Sequence, residues 1–154
     1  MPSWRYVPAP LGSVAGSTVL RTVSGVGGDD MLESSDVVAF VAATDLPRAR
    51  EFYGQKLGLP LVSHDDFACV FDANGTMLRV TAVSEVSRAG YTVLGWRVTD
   101  IEGAIRSLSA KGVPFKRYEG MDQDENGTWT TPGGEKVAWF ADPDGNIVSL
   151  MQAL

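Results

Sequence analysis

A single histidine and a single cysteine bound the side-chain chemistry open to this chain. His64 stands in the run Ser63-His64-Asp65-Asp66, which strings together a hydroxyl, an imidazole and two carboxylates. A nucleophilic triad needs such groups to converge in space, which neighbours on one turn rarely do, and no Gly-x-Ser-x-Gly elbow occurs. His64 therefore reads as a surface or pocket-rim residue. Cys69 lies in the apolar run Ala68-Cys69-Val70-Phe71, the setting of a buried, unreactive thiol. One thiol cannot form an internal disulfide, and the expected compartment is the reducing cytoplasm.

Two further motifs fail on spacing. Asp122-Gln123-Asp124-Glu125-Asn126-Gly127 begins like a calcium loop, but the twelfth position, where a bidentate Glu belongs, is Gly133. Pro132-Gly133-Gly134 also forbids the exiting helix, so a solvated acidic loop is expected. Gly25 to Gly28 form no phosphate cradle, because no strand precedes them and no capped helix follows. With 13 Lys plus Arg against 19 Asp plus Glu and a net charge of −6, the chain lacks the basic face that nucleic acid demands. No apolar run approaches the roughly 18–20 residues of a membrane span. The expected partners thus exclude nucleic acid and membrane.

The elements that position these residues come in duplicate. Thr44-Asp45-Leu46 aligns with Thr99-Asp100-Ile101, Lys56 with Lys111, and Gly58-Leu59-Pro60 with Gly112-Val113-Pro114. Phe71-Asp72-Ala73-Asn74-Gly75 is similar to Phe140-Ala141-Asp142-Pro143-Asp144-Gly145. The same features in the same order mean one supersecondary unit used twice. Each unit opens with an apolar strand (Val37 to Ala43; Leu94 to Val98) and an Asp placed to cap a helix, Asp45 or Asp100. Ile101, Ala104, Ile105 and Leu108 repeat at helical spacing, as Leu46, Ala49, Phe52, Tyr53 and Leu57 nearly do. Gly58 and Gly112 stop the helices, and hairpins follow at Asn74-Gly75 and Asp144-Gly145. The unit is βαβββ. Two of them predict an α+β fold with a curved mixed sheet. Residues 1–30, rich in Pro and Gly and without apolar periodicity, are expected to be a flexible extension ahead of a domain over 31–154.

The run Val38 to Leu46, with Phe52-Tyr53 and Leu57-Gly58-Leu59, resembles the vicinal oxygen chelate superfamily, which includes glyoxalase I, bleomycin-resistance proteins and extradiol dioxygenases. The closing Trp139-Phe140-Ala141-Asp142-Pro143-Asp144-Gly145-Asn146 resembles its last hairpin, and the likeness covers roughly residues 36–152. The resemblance implies a cavity enclosed by the paired units, a homodimer, and a divalent metal held by His or Glu from the first and last strands of each unit. Carried over by position, those four ligands fall on Val38, Arg79, Val93 and Ser149. Two valines, an arginine and a serine are no donor set for a divalent ion, so no metal and no other cofactor is expected.

Side chains at i and i+2 share one face of a strand. The face of the four carried-over positions then shows Phe40, Ala42, Met77, Thr81, Gly95, Arg97, Ile147 and Met151, a mostly apolar wall with placed polar points. The opposite parity, Ala39, Val41, Leu78, Val80, Leu94, Trp96, Val98, Val148 and Leu150, is the layer expected under the helices. The expected ligand set is Arg79, Arg97, Ser149, Phe40, Val38, Val93, Met77 and Met151, with the two arginines receiving an anionic group. The resemblance adds Trp129, with Tyr118 and Met121, as a lid. Three functions follow: a metal-independent binding or sequestering protein for a small organic molecule, which leads; a lyase, isomerase or hydrolase working without the family metal, with His64, Glu119 or Tyr118 as its loop-borne acid or base; and a structural or regulatory subunit.

Overall fold

The computed structural model of the chain describes residues 32–154, so the extension expected over residues 1–30 lies outside the described residues. The first module runs β1 (Val38–Ala43), α1 (Leu46–Arg50), β2 (Leu61–His64), β3 (Ala68–Ala73) and β4 (Thr76–Ala82). The second runs β5 (Thr92–Arg97), α2 (Ile101–Ala110), β6 (Thr128–Thr130), β7 (Lys136–Ala141) and β8 (Ile147–Gln152). The α+β fold and the duplication are as the sequence predicts. Each module forms its own four-stranded mixed sheet, β1-β4-β3-β2 and β5-β8-β7-β6, with its first and last strands parallel. β1 and β5 come alongside each other without sharing a ladder.

Local chemistry sets the element ends. The side chains of Asp45 and Asp100 accept from Arg48 N and Gly103 N, satisfying donors that a helix start leaves open. Gly58 and Gly112 take φ of 77° and 78°, the left-handed stop that costs a glycine nothing. One helix departs from expectation. After Arg50, α1 continues as a π-helical segment over Glu51–Lys56, in which Leu57 N bonds to Phe52 O. This stretch buries Phe52 and Tyr53 side by side. The two hairpin turns also differ. Asn74 and Gly75, both at positive φ, join β3 to β4 in two residues, whereas β7 and β8 are joined by the longer turn from Asp142 to Asn146.

The core lies between sheets and helices and is the parity set read from the strands. Val41, Leu78, Val80, Val148 and Leu150 are buried, and Ala39, Leu94, Trp96 and Val98 pack against them. Tyr53, Phe71 and Phe140 are fully buried, and burial of a phenylalanine side chain is worth roughly 1.5–3 kcal/mol.

A polar network ties the modules together inside this core. Tyr53 Oη donates to Asp142 Oδ2 at 2.8 Å, and the same oxygen accepts from Asn146 Nδ2 at 2.7 Å. Asn146 Nδ2 also reaches the carbonyl of Ala42 at 2.9 Å. Asp142 Oδ1 accepts the backbone N–H groups of Asp144 and Asn146. At the edge of the network, Asp144 Oδ1 receives the N–H and hydroxyl of Thr44 and lies 3.5 Å from Arg48 Nη2. Burial, and then the negative charge and hydrogen bond of Asp142, push the Tyr53 phenol far above its ordinary pKa. No described helix is long and apolar enough to cross a membrane.

Candidate functional site

The site grows from strand register. In the first module Val38 pairs with Met77, Phe40 with Arg79 and Ala42 with Thr81, which sets these side chains on the sheet face turned away from the core. In the second, Gly95 pairs with Ser149, Arg97 with Met151, and Trp139 with Ser149 on its other side. The expected ligand residues therefore do share the open sheet faces, in two groups. Val38, Phe40, Met77 and Arg79 stand on the first sheet; Ser149, Met151, Arg97 and Trp129 belong to the second.

Val93 differs in detail. The β5–β8 pairing slips between Thr92 and Leu94, so that Thr92, not Val93, stands opposite Ile147. Trp139 Nε1 donates to Thr92 Oγ1 at 3.1 Å, which fixes Thr92 on the open face beside Ser149. Nothing in the run Tyr91-Thr92-Val93-Leu94 signals this bulge.

The open face is apolar and partly solvent-exposed: Phe40 is 65% exposed and Val38 39%. Aromatic side chains wall the second module. Trp129 and Trp139 lie with ring centroids 6.3 Å apart, and Tyr118 meets Trp139 edge-on at 5.6 Å. Trp129 belongs to strand β6, beside Trp139 on this wall. The segment before it is stitched down by Gln123, whose amide donates to the carbonyls of Lys116 and Gly127 and accepts from Tyr118 N. Asp124, the centre of the calcium-like run, spends its carboxylate on Asn126 N and Thr128 N. Sequence reasoning left out Trp139, although its parity, opposite to buried Phe140, would have found it.

Two polar features stand out on this face. Arg79 makes no hydrogen bond or ion pair among the described residues, and its charge is felt by Asp65. The Asp65 carboxyl is held below its usual range by the N–H groups of Phe67 and Ala68, with Arg79 and His64 adding positive charge. Beside Arg79, the buried Thr81 Oγ1 has no hydrogen-bond partner. At Gly95 a Cβ would come within 2.6 Å of Ser149 Oγ, so the missing side chain leaves Ser149 its place on the face.

Other predicted residues stand elsewhere. His64 pairs across the ladder with Cys69 and lines a cleft of about 960 Å³ beside the start of α1, with Arg50, Glu51, Asp65 and Asp66. Burial raises the Cys69 thiol pKa, against the opposing pull of Arg50. Arg97 ends β5, where it also lines a smaller cleft on the helix side of the sheet. Neither of these clefts is lined by Arg79. Val38, Arg79, Ser149 and either Thr92 or Val93 offer no set of imidazole or carboxylate donors, so the residues at the expected metal positions do not fit a divalent ion.

Paired βαβββ modules with strand order 1-4-3-2, whose open faces stand opposite a shared helix-covered core, define a glyoxalase-type domain. A family model agrees: residues 35–150 match the glyoxalase/bleomycin resistance protein/dioxygenase superfamily, and the chain belongs to it. Among curated proteins, none matches. Solved structures share the fold. A glyoxalase family protein from Bacillus anthracis superposes with a TM-score of 0.62 at 17% identity, covering 78% of this chain and 95% of that one. A lactoylglutathione lyase from Agrobacterium tumefaciens gives 0.61 at 18%, over 78% and 94% of the two chains. A glyoxalase/bleomycin resistance protein from Catenulispora acidiphila gives 0.60 at 21%, over 79% and 100%.

Proposed function

We propose that this superfamily member binds a small organic anion on the open sheet face without a metal, as a sequestering or resistance-type protein. The carrying observation is Arg79: a guanidinium in an apolar wall, unpaired among the described residues, beside the buried Thr81 hydroxyl that likewise lacks a partner there. A buried hydroxyl without a partner costs about 1–3 kcal/mol, a cost that a ligand acceptor placed there removes. Arg79 offers the planar fork that carboxylates and phosphates accept, with Arg97 as a second cation at the end of β5. Phe40, Val38, Met77, Met151 and Trp129 supply apolar contact, and Ser149 and Thr92 hydroxyls.

Binding is favoured over turnover because no imidazole stands among the paired face residues, and their carboxylate, Asp72 opposite Met77, is engaged by the N–H of Gly75 in the β3–β4 turn. Exposed Phe40 and Val38 further support a homodimer in which a second copy closes over the face. Sedimentation equilibrium should then return twice the chain mass, and a monomer would remove that part of the proposal. The ligand site is tested with 1-naphthoate, a flat anion, followed by tryptophan emission. Arg79→Met should weaken its binding by about ten- to a hundredfold, the worth of one charge-assisted hydrogen bond. Equal affinity in the variant would overturn the role of Arg79. A stoichiometric divalent ion in the purified protein would overturn the metal-independent reading.

A further inference from the structure

The cleft on the helix side of the second sheet is a different kind of surface. It is walled by the end of the π-helical segment, by β5 and by α2, with a volume of about 280 Å³. Leu57, Leu59, Trp96, Val98, Ala104 and Leu108 form its apolar wall, each only partly covered by the core. Its charged lining residues are Lys56, Arg97 and Lys111; no carboxylate lines it. That is notable in a chain with 19 acids, 13 lysines and arginines and a net charge of −6. Among the described residues none of these three cations pairs with a carboxylate, and Lys111 Nζ rests on the backbone carbonyl of Lys56 at 3.2 Å.

We infer that this cleft is a second binding site, for a small amphiphilic carboxylate: an apolar tail against Trp96 and Leu108 and an anionic head between Lys56 and Lys111. Its size suits on the order of ten non-hydrogen atoms, at about 30 Å³ for each water-sized group. A ligand's tail covers apolar surface that the core leaves wet, and its head meets cations that no internal acid neutralises. An uncharged or cationic amphiphile of the same length gains only the first of these terms. Apart from Arg97, which ends β5 and borders both, the site is separate from the open face, since its apolar wall comes from the opposite strand parity and from both helical segments.

Octanoate is the probe, with octanol and octylammonium as its neutral and cationic counterparts, added to the full chain. Methyl-resolved NMR on the unaltered protein locates binding: octanoate should shift Leu57, Leu59, Val98, Ala104 and Leu108. Shifts confined to Val38, Met77, Thr92 and Met151 would move the ligand to the open face and overturn the second site. In calorimetric titration the double variant Lys56→Glu, Lys111→Glu should lose about tenfold or more in octanoate affinity. It should bind octylammonium at least as well as the unaltered chain does. Unchanged octanoate affinity in that variant, or equal affinity of the unaltered chain for octanoate and octylammonium, would overturn the role of the lysines.

Discussion

The turns that close the two modules use similar residues and do different work. Asn74-Gly75 is exposed, and the nearby side-chain bond is local, from Gly75 N to Asp72 Oδ1. The turn from Asp142 to Asn146 is longer, and its extra length lets Asp142 point inward under the phenol of Tyr53 in the other module. A duplicated unit inherits strand order and register, because each strand must still hide one face. Its turns are free to diverge. Here the second module's turn is a cross-link to the first, while the first module's turn is a simple hairpin.

Substitutions can break this contrast. The largest effect is expected from Asp142→Ala, which strands Tyr53 Oη, the second bond of the Asn146 amide and two turn N–H groups. Its unfolding free energy in urea should fall by about 3–4 kcal/mol. Tyr53→Phe removes one hydrogen bond and leaves Asp142 its other donors, so a loss of about 1–2 kcal/mol is expected in the same assay.

Tyr53 also sharpens the contrast through pH. Its phenol is harder to ionise folded than unfolded, so its stabilisation is complete below the unfolded value and lost as pH rises above it. Stability should decline above about pH 10 with an added slope near 1.4 kcal/mol per pH unit, and Tyr53→Phe should be flatter there. Parallel slopes in the two proteins would contradict a buried phenol beside Asp142. The smallest effect belongs to the simple turn: Asp72→Ala should cost about 0.5–1 kcal/mol. If Asp72→Ala and Asp142→Ala proved equally damaging, the two turns would not differ in the way described.

What could be read from the sequence was local or periodic. Asp45, Asp100, Gly58 and Gly112 act on backbone within a turn of themselves, so residue type alone gave the helix ends. Parity assigned Val41, Leu78, Val80, Val148 and Leu150 to the core and Val38, Phe40, Met77, Arg79 and Ser149 to the other face, because strand period carries across a whole sheet. Two features carried no local mark. The bulge that exchanges Val93 for Thr92 depends on how β8 pairs, and the π-helical segment on how Phe52 and Tyr53 both find the core. The partnership of Tyr53 with Asp142 joins distant residues, and a local reading of Asp-Pro-Asp-Gly sees only a turn. The cleft lined by Trp96 and Leu108 exists because α2 and the end of the first helix stand apart over β5, a spacing set by tertiary packing.

The bond from Tyr53 to Asp142 bears on how the stability of the chain is shared. A buried phenol without its acceptor is costly, and the acceptor lies in the other repeat. Neither half can therefore reach its native energy alone, although each contains a full set of strands and a helix. In the present chain the two repeats share one folding free energy, and loss of either withdraws the partner on which the other's core depends.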